Sequence, residues 1–143
     1  MADSTAVQPQ PAALSADQVL ALAPDATSQR AASRLAGAGS WAETGCGGVD
    51  DLSTTVWGLA RGSGAVPYRT AVDVTEDAGP VYRCSCPSRK IPCKHALGLL
   101  LHWIAGEVTV APVPGWVRDW HAERVARAER AAARAVPMEP GAN

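Results

Sequence analysis

The stretch Cys84-Ser85-Cys86-Pro87-Ser88-Arg89-Lys90-Ile91-Pro92-Cys93-Lys94-His95 holds three of the four cysteines of the chain in a C-x-C pair and a C-x-H pair. Thiolate sulfur and neutral imidazole are the donors zinc prefers, and four of them close a tetrahedral shell with no open position, the mark of a structural site. On an extended strand, side chains at i and i+2 share a face, so Cys84 and Cys86 can present both sulfurs to one ion while Ser85 turns away. Pro87 and Pro92 restrict the intervening turn and lower the entropic cost of closing it. Cys93 and His95 then fall at a helix start, where amides not yet used by the helix can donate to sulfur. Cys84, Cys86, Cys93 and His95 are therefore read as the ligands of one structural Zn2+.

Working outward, Val81 to Cys86 reads as a strand. It is preceded by Tyr68 to Val74, whose period-two alternation sets Tyr68, Thr70, Val72 and Val74 on one face, and by Ser53 to Ala60, rich in β-branched and aromatic residues. Asp50-Asp51, Arg61 to Gly64 and Thr75 to Pro80 punctuate these runs, which implies a three-stranded antiparallel meander. Trp41 and Cys46 lie in a Gly-rich segment read as a turn, Gly45 to Gly48. After the cluster, Lys94 to Ala105 turns helical, with Leu97, Leu100, Leu101 and Ile104 on one stripe that Ala96, Leu99 and Trp103 widen, and Gly106 as C-cap. A helix so apolar must be covered on two sides, by the sheet and by a helical pair upstream.

That pair begins at Ser15, an N-cap with Gln18 three residues on, and resumes after Pro24-Asp25 over Thr27 to Ala36, ending at Gly37 and Gly39. Downstream, Pro112 and Pro114 mark an extended linker. A last amphipathic helix carries Trp116, Trp120 and Val125 on its apolar side and stops at Pro137.

Composition bounds the function. With 143 residues, a formal charge of −1 and pI ≈ 6.3, the chain lacks the strongly basic character of a protein that coats nucleic acid. Phe is absent, so the core is small and benefits from a metal staple. Charge is uneven, however. Both lysines, Lys90 and Lys94, sit in the cluster beside Arg83 and Arg89, and no acid interrupts residues 81 to 95; four cations, three thiolates and one divalent ion leave +3. Met1 to Gln10 has neither the basic nor the apolar region of a secretory signal and no apolar run is of spanning length, so a cytoplasmic protein without membrane contact is expected. There, thiols serve as metal ligands rather than as disulfides.

The cluster and its flanking words, Pro67-Tyr68-Arg69, Val72-Asp73, Cys86-Pro87-Ser88-Arg89-Lys90 and Cys93-Lys94-His95-Ala96-Leu97-Gly98-Leu99-Leu100, resemble the SWIM-type zinc finger, and in particular stand-alone bacterial proteins of that kind. The likeness covers about residues 50 to 105 and extends weakly into the helical pair. It implies the same four ligands and a module that recognises DNA or protein partners. The helicase and transposase contexts in which such fingers also occur are not implied, because their motifs are lacking.

The expected fold is thus α+β: a disordered tail over 1–14, a helical hairpin over 15–40, a SWIM-type finger domain over 41–106, a linker over 107–115, a C-terminal helix over 116–136 and a disordered tail over 137–143. The expected function is a non-enzymatic recognition or adaptor module with no small-molecule substrate. An enzyme would need an open metal position or a nucleophile with its base. A protein partner is favoured by the neutral overall charge, and nucleic acid is the alternative. Candidate contacts are Arg83, Arg89, Lys90, Lys94, Trp116 and Trp120. The bland counterparts are that the cations merely offset the anionic zinc-thiolate centre and that the tryptophans anchor their own helix. A redox-sensing thiol cluster that releases zinc is a minor alternative. Cys46 is read as a buried small residue rather than a fifth ligand, His102 as a helix residue with one hydrogen bond, and Gly62-Ser63-Gly64 as a loop rather than a phosphate cradle.

Overall fold

A computed structural model describes residues 14–49, 51–62, 64–75 and 79–135. The tails expected over 1–14 and 137–143 lie outside the described residues apart from Leu14. The chain divides into two compact units, one up to Val113 and one from Pro114 onward.

The first unit opens with helix α1, Ala16–Ala21, whose start is a complete capping box: the Gln18 amide donates to Ser15 Oγ at 3.1 Å and the Ser15 amide to Gln18 Oε1 at 2.8 Å. Helix α2, Ala26–Leu35, is capped by Asp25, which accepts from the Ser28 amide at 2.7 Å. A 3-10 turn, Ala38–Ser40, leads to strands β1, Trp41–Gly48; β2, Asp51–Ala60; β3, Tyr68–Thr75; and β4, Gly79–Cys84. They form one antiparallel sheet in the order β1-β2-β3-β4.

The sheet therefore has four strands, not three, and the segment read as a turn around Gly45 to Gly48 is part of β1. Gly45 stands opposite Trp57 on β2, and a Cβ on it would lie 2.9 Å from the indole. The glycines that suggest a turn in sequence are here strand residues, Gly45 lying beneath a ring and Gly47 against the Leu52 backbone, a use of glycine that only cross-strand packing reveals.

Helix α3, Lys94–Ile104, lies between this sheet and the α1–α2 pair, and is buried along almost its whole length, as its all-round apolarity requires. Ala32, Trp41, Cys46, Val56, Val72, Leu97, Leu100 and Trp103 are among the buried residues of that core. The approach of α2 to α3 depends on Gly98, where a Cβ would come 2.7 Å from Leu35 Cβ. The helix ends in a Schellman motif: the Gly106 amide donates to Trp103 O at 2.9 Å and the Glu107 amide to His102 O at 3.2 Å, with Gly106 at φ +82. Beyond it, Val108 is buried, and the Cys46 amide donates to Thr109 O while Ala111 donates to Cys46 O, each at 3.1 Å, so residues 109–111 run along the outer edge of β1.

The second unit is helix α4, Gly115–Ala135, begun by amides of Val117 and Arg118 that donate to Pro114 O. The Arg124 guanidinium lies 4.9 Å from the Trp120 ring centroid, a cation–π contact. Val125, expected beside Trp120, is exposed, because five residues carry it about 140° around the helix. Among the described residues no helix is long and apolar enough to cross a membrane.

Candidate metal centre

Three elements converge on one point. Cys84 closes β4, Cys86 follows on the turn that leaves it, Cys93 is the N-cap of α3 and His95 lies in its first turn. Their sulfur and nitrogen atoms all lie within 4.8 Å of one another, and Cys84 Sγ is 3.7 Å from His95 Nδ1. A tetrahedral zinc with bonds of about 2.3 Å to sulfur and about 2.0 Å to nitrogen has ligand–ligand edges of about 3.5–3.8 Å. The donor set and its spacing thus fit one zinc ion, with His95 contributing Nδ1.

The protons of the metal-free cluster are unequally held. Hydrogen bonding from the Cys84 thiol, aided by His95 and the Ala96 amide, draws the Cys93 thiol down to about 4. The same contact with Cys93, together with burial, pushes Cys84 strongly up, and burial also raises Cys86. One negative charge is accommodated readily; three need a cation at the centre. Main-chain amides are already directed at the sulfurs, that of Cys86 toward Cys84 and that of Ser88 toward Cys86.

Three residues not singled out from the sequence as part of the site support it from β3 and its neighbour. Thr70, fully buried, sets Oγ1 3.2 Å from Cys84 Sγ. The Tyr68 ring lies 5.1 Å from the His95 imidazole and tilted by 47°. Ser85, turned away from the metal as the C-x-C geometry expects, accepts from the Arg69 amide at 2.9 Å while its own amide donates to Arg69 O at 3.0 Å, anchoring the knuckle to β3. The alternation that sets Tyr68 and Thr70 on one face was the only trace of this in the sequence.

Cys46 is fully buried and outside the cluster; burial raises its thiol against a hydrogen bond from Trp103. His102 is also buried away from the metal. Its Nδ1–H donates to Ala36 O at 2.6 Å and its ring stacks with Trp41 at 6.4 Å, so it ties α3 to the end of α2.

The cations divide. Arg83, Arg89, Lys90 and Lys94 are all exposed, and Lys90 Nζ makes an ion pair of 2.8 Å with Asp25, whose carboxyl is held down at about 2 by Lys90 and by the Ser28 amide. The cluster itself opens into a cleft of about 290 Å³ lined by Cys84, Cys86 and Cys93 together with Tyr82 and Arg83 of β4 and Ser88, Lys90 and Ile91 of the knuckle. Trp116 and Trp120 belong to the separate α4 unit.

A small antiparallel sheet and a buried helix joined by a closed set of three cysteines and one histidine define a structural zinc module. Residues 71–104, from within β3 to the end of α3, match the family model of the SWIM zinc finger, and the chain therefore carries a SWIM-type finger. No curated protein and no solved structure matches the chain.

Proposed function

We propose that this chain is a non-enzymatic, zinc-stapled recognition module that binds a protein partner through the exposed face of its finger. The observation that carries the reading is the Lys90–Asp25 ion pair, which sets a carboxylate inside the basic patch. A surface evolved to follow a phosphate backbone gains from an uninterrupted row of cations, whereas protein-binding surfaces mix charge with apolar contacts. Ile91, 77% exposed between Lys90 and Pro92, supplies the apolar part. The filled four-ligand set supports a structural rather than catalytic metal. Four ligands that include three unbridged thiols support a cytoplasmic setting.

Nucleic acid is the second reading, favoured by the exposure of Arg83, Arg89 and Lys94. The zinc-loaded chain titrated with duplex and single-stranded DNA over a range of salt separates the two. Affinity that falls steeply with salt overturns the protein reading; no DNA binding at low salt, with capture of a defined protein from the native cell that a zinc chelator abolishes, supports it.

A further inference from the structure

Strand β4 is the edge of the sheet with which, among the described residues, no further segment hydrogen-bonds; the opposite edge, on β1, is paired with residues 109–111. The register determines which of its main-chain groups point outward. The Ser85 amide bonds to Arg69 O, so 69 and 85 form a hydrogen-bonded pair, and by period two so do 71 with 83 and 73 with 81. Arg83 and Val81 thus turn their N–H and C=O toward β3, while those of Tyr82 and Cys84 turn outward. Pro80 also faces outward and has no N–H, which blocks pairing at the far end of the strand in the way edge strands are usually protected. The Tyr82–Cys84 end has no such protection, and it lines the mouth of the cleft that opens onto the metal cluster, whose remaining lining includes the ligands Cys86 and Cys93.

Charge selects the occupant. Arg83 and Lys90 both line the cleft; Lys90 already has Asp25 as its partner, so the exposed Arg83 is the cation this edge offers to an incoming carboxylate. A second copy of this chain pairing through the same edge antiparallel about its centre would set Arg83 against Arg83, which is unfavourable. The Asp25 carboxylate at Lys90 already shows the chemistry this cleft accepts.

We propose that the Tyr82–Cys84 edge and its cleft form a docking site for a short, extended, acidic segment of a partner protein, which adds as a fifth strand to the sheet beside the zinc. Main-chain hydrogen bonds to Tyr82 and Cys84 supply the pairing, and a carboxylate of the segment meets Arg83. Zinc binding is thereby linked to recognition, because Cys84 is at once ligand and edge residue. This rests on the reading that the partner is a protein.

The test uses the zinc-loaded, 15N-labelled full chain and a capped heptapeptide of alternating Glu and Val, with a Lys/Val peptide as control. The Glu/Val peptide is expected to shift the Tyr82 and Cys84 amides, the Lys/Val peptide to leave them, and Arg83→Glu to weaken binding about tenfold or more. Two N-methylated forms, one blocking the Glu amides and one the Val amides, isolate the strand pairing, since a docked strand turns only one set toward the edge. Loss of binding with one form and retention with the other supports the proposal. Equal binding of both forms, equal binding of the Lys/Val peptide, or no shift at these amides overturns it. If no shift is seen while chelator-sensitive capture of a protein persists, only the docking site fails; if salt-sensitive DNA binding appears as well, the protein reading fails with it.

Discussion

Thr70 Oγ1 lies 3.2 Å from Cys84 Sγ, joining the first part of β3 to the last residue of β4 at the metal centre. Outer hydroxyls of this kind orient a ligand and stabilise its charged form, and their loss typically lowers metal affinity about 10–100-fold. Thr70→Val, which keeps the shape and removes the donor, should weaken zinc binding by about tenfold or more while Thr70→Ser restores it. Competition with a chromophoric chelator measures the affinity, and a shift of the sulfur-to-metal band in the cobalt-substituted protein separates a ligand effect from a general loss of stability. Unchanged affinity with an unchanged band would show that the hydroxyl is only packing.

Protons compete with zinc at this centre in a defined way. The metal-free cluster carries its charge at Cys93 once the pH exceeds about 4, whereas Cys84 and Cys86 are raised and stay protonated through neutrality. Zinc requires all three as thiolates, so near neutral pH its binding should release two protons. Apparent affinity should then rise about a hundredfold per pH unit between about pH 7.5 and 8.5, above the ordinary imidazole range. The sign is that of metal-linked stability gained as pH rises and lost as it falls. Proton release measured by calorimetry at about pH 8, above the ordinary imidazole range so that only thiol protons are counted, checks the number in buffers of different ionisation enthalpy, and a value of three would contradict the charge at Cys93.

Removing a ligand tests the staple. Cys84→Ser or Cys93→Ser should abolish stoichiometric zinc and cooperative unfolding together, since the metal is worth on the order of 10 kcal/mol, comparable to the whole stability of a small domain. Metal content by atomic emission and thermal unfolding by circular dichroism report both. A serine variant that keeps one zinc per chain and a sharp transition would remove that residue from the ligand set.

The α2–α3 contact is a separate source of stability. In Gly98→Ala the new Cβ meets Leu35 Cβ at 2.7 Å, a contact relieved only by moving α2. Overpacking of this kind costs about 1–3 kcal/mol. Alanine returns at most about 1 kcal/mol through its helix propensity, so the variant should be less stable by up to about 2 kcal/mol with one zinc retained. Denaturant unfolding of the zinc-loaded protein measures it, and a stabilised variant would mean that the two helices separate freely.

The local features were legible along the chain. The C-x-C and C-x-H spacings determine which donors share a face and reach one ion, and the Ser15–Gln18 box, the strand alternation over Tyr68 to Val74 and the apolar run of α3 are set by neighbours a few residues apart. Tertiary structure alone decided the rest, because it depends on which distant residues are brought opposite one another. Gly45 reads as a turn until Trp57 lies over it, and Thr70 reads as one more strand residue until β4 delivers Cys84 beside it. Lys90 likewise counts as a free cation in the sequence, and the fold gives it to Asp25 across 65 positions of chain. Alternation limits which face a strand residue takes, but which distant residue it then meets is decided by the packing of whole elements and not by the propensity of any single position.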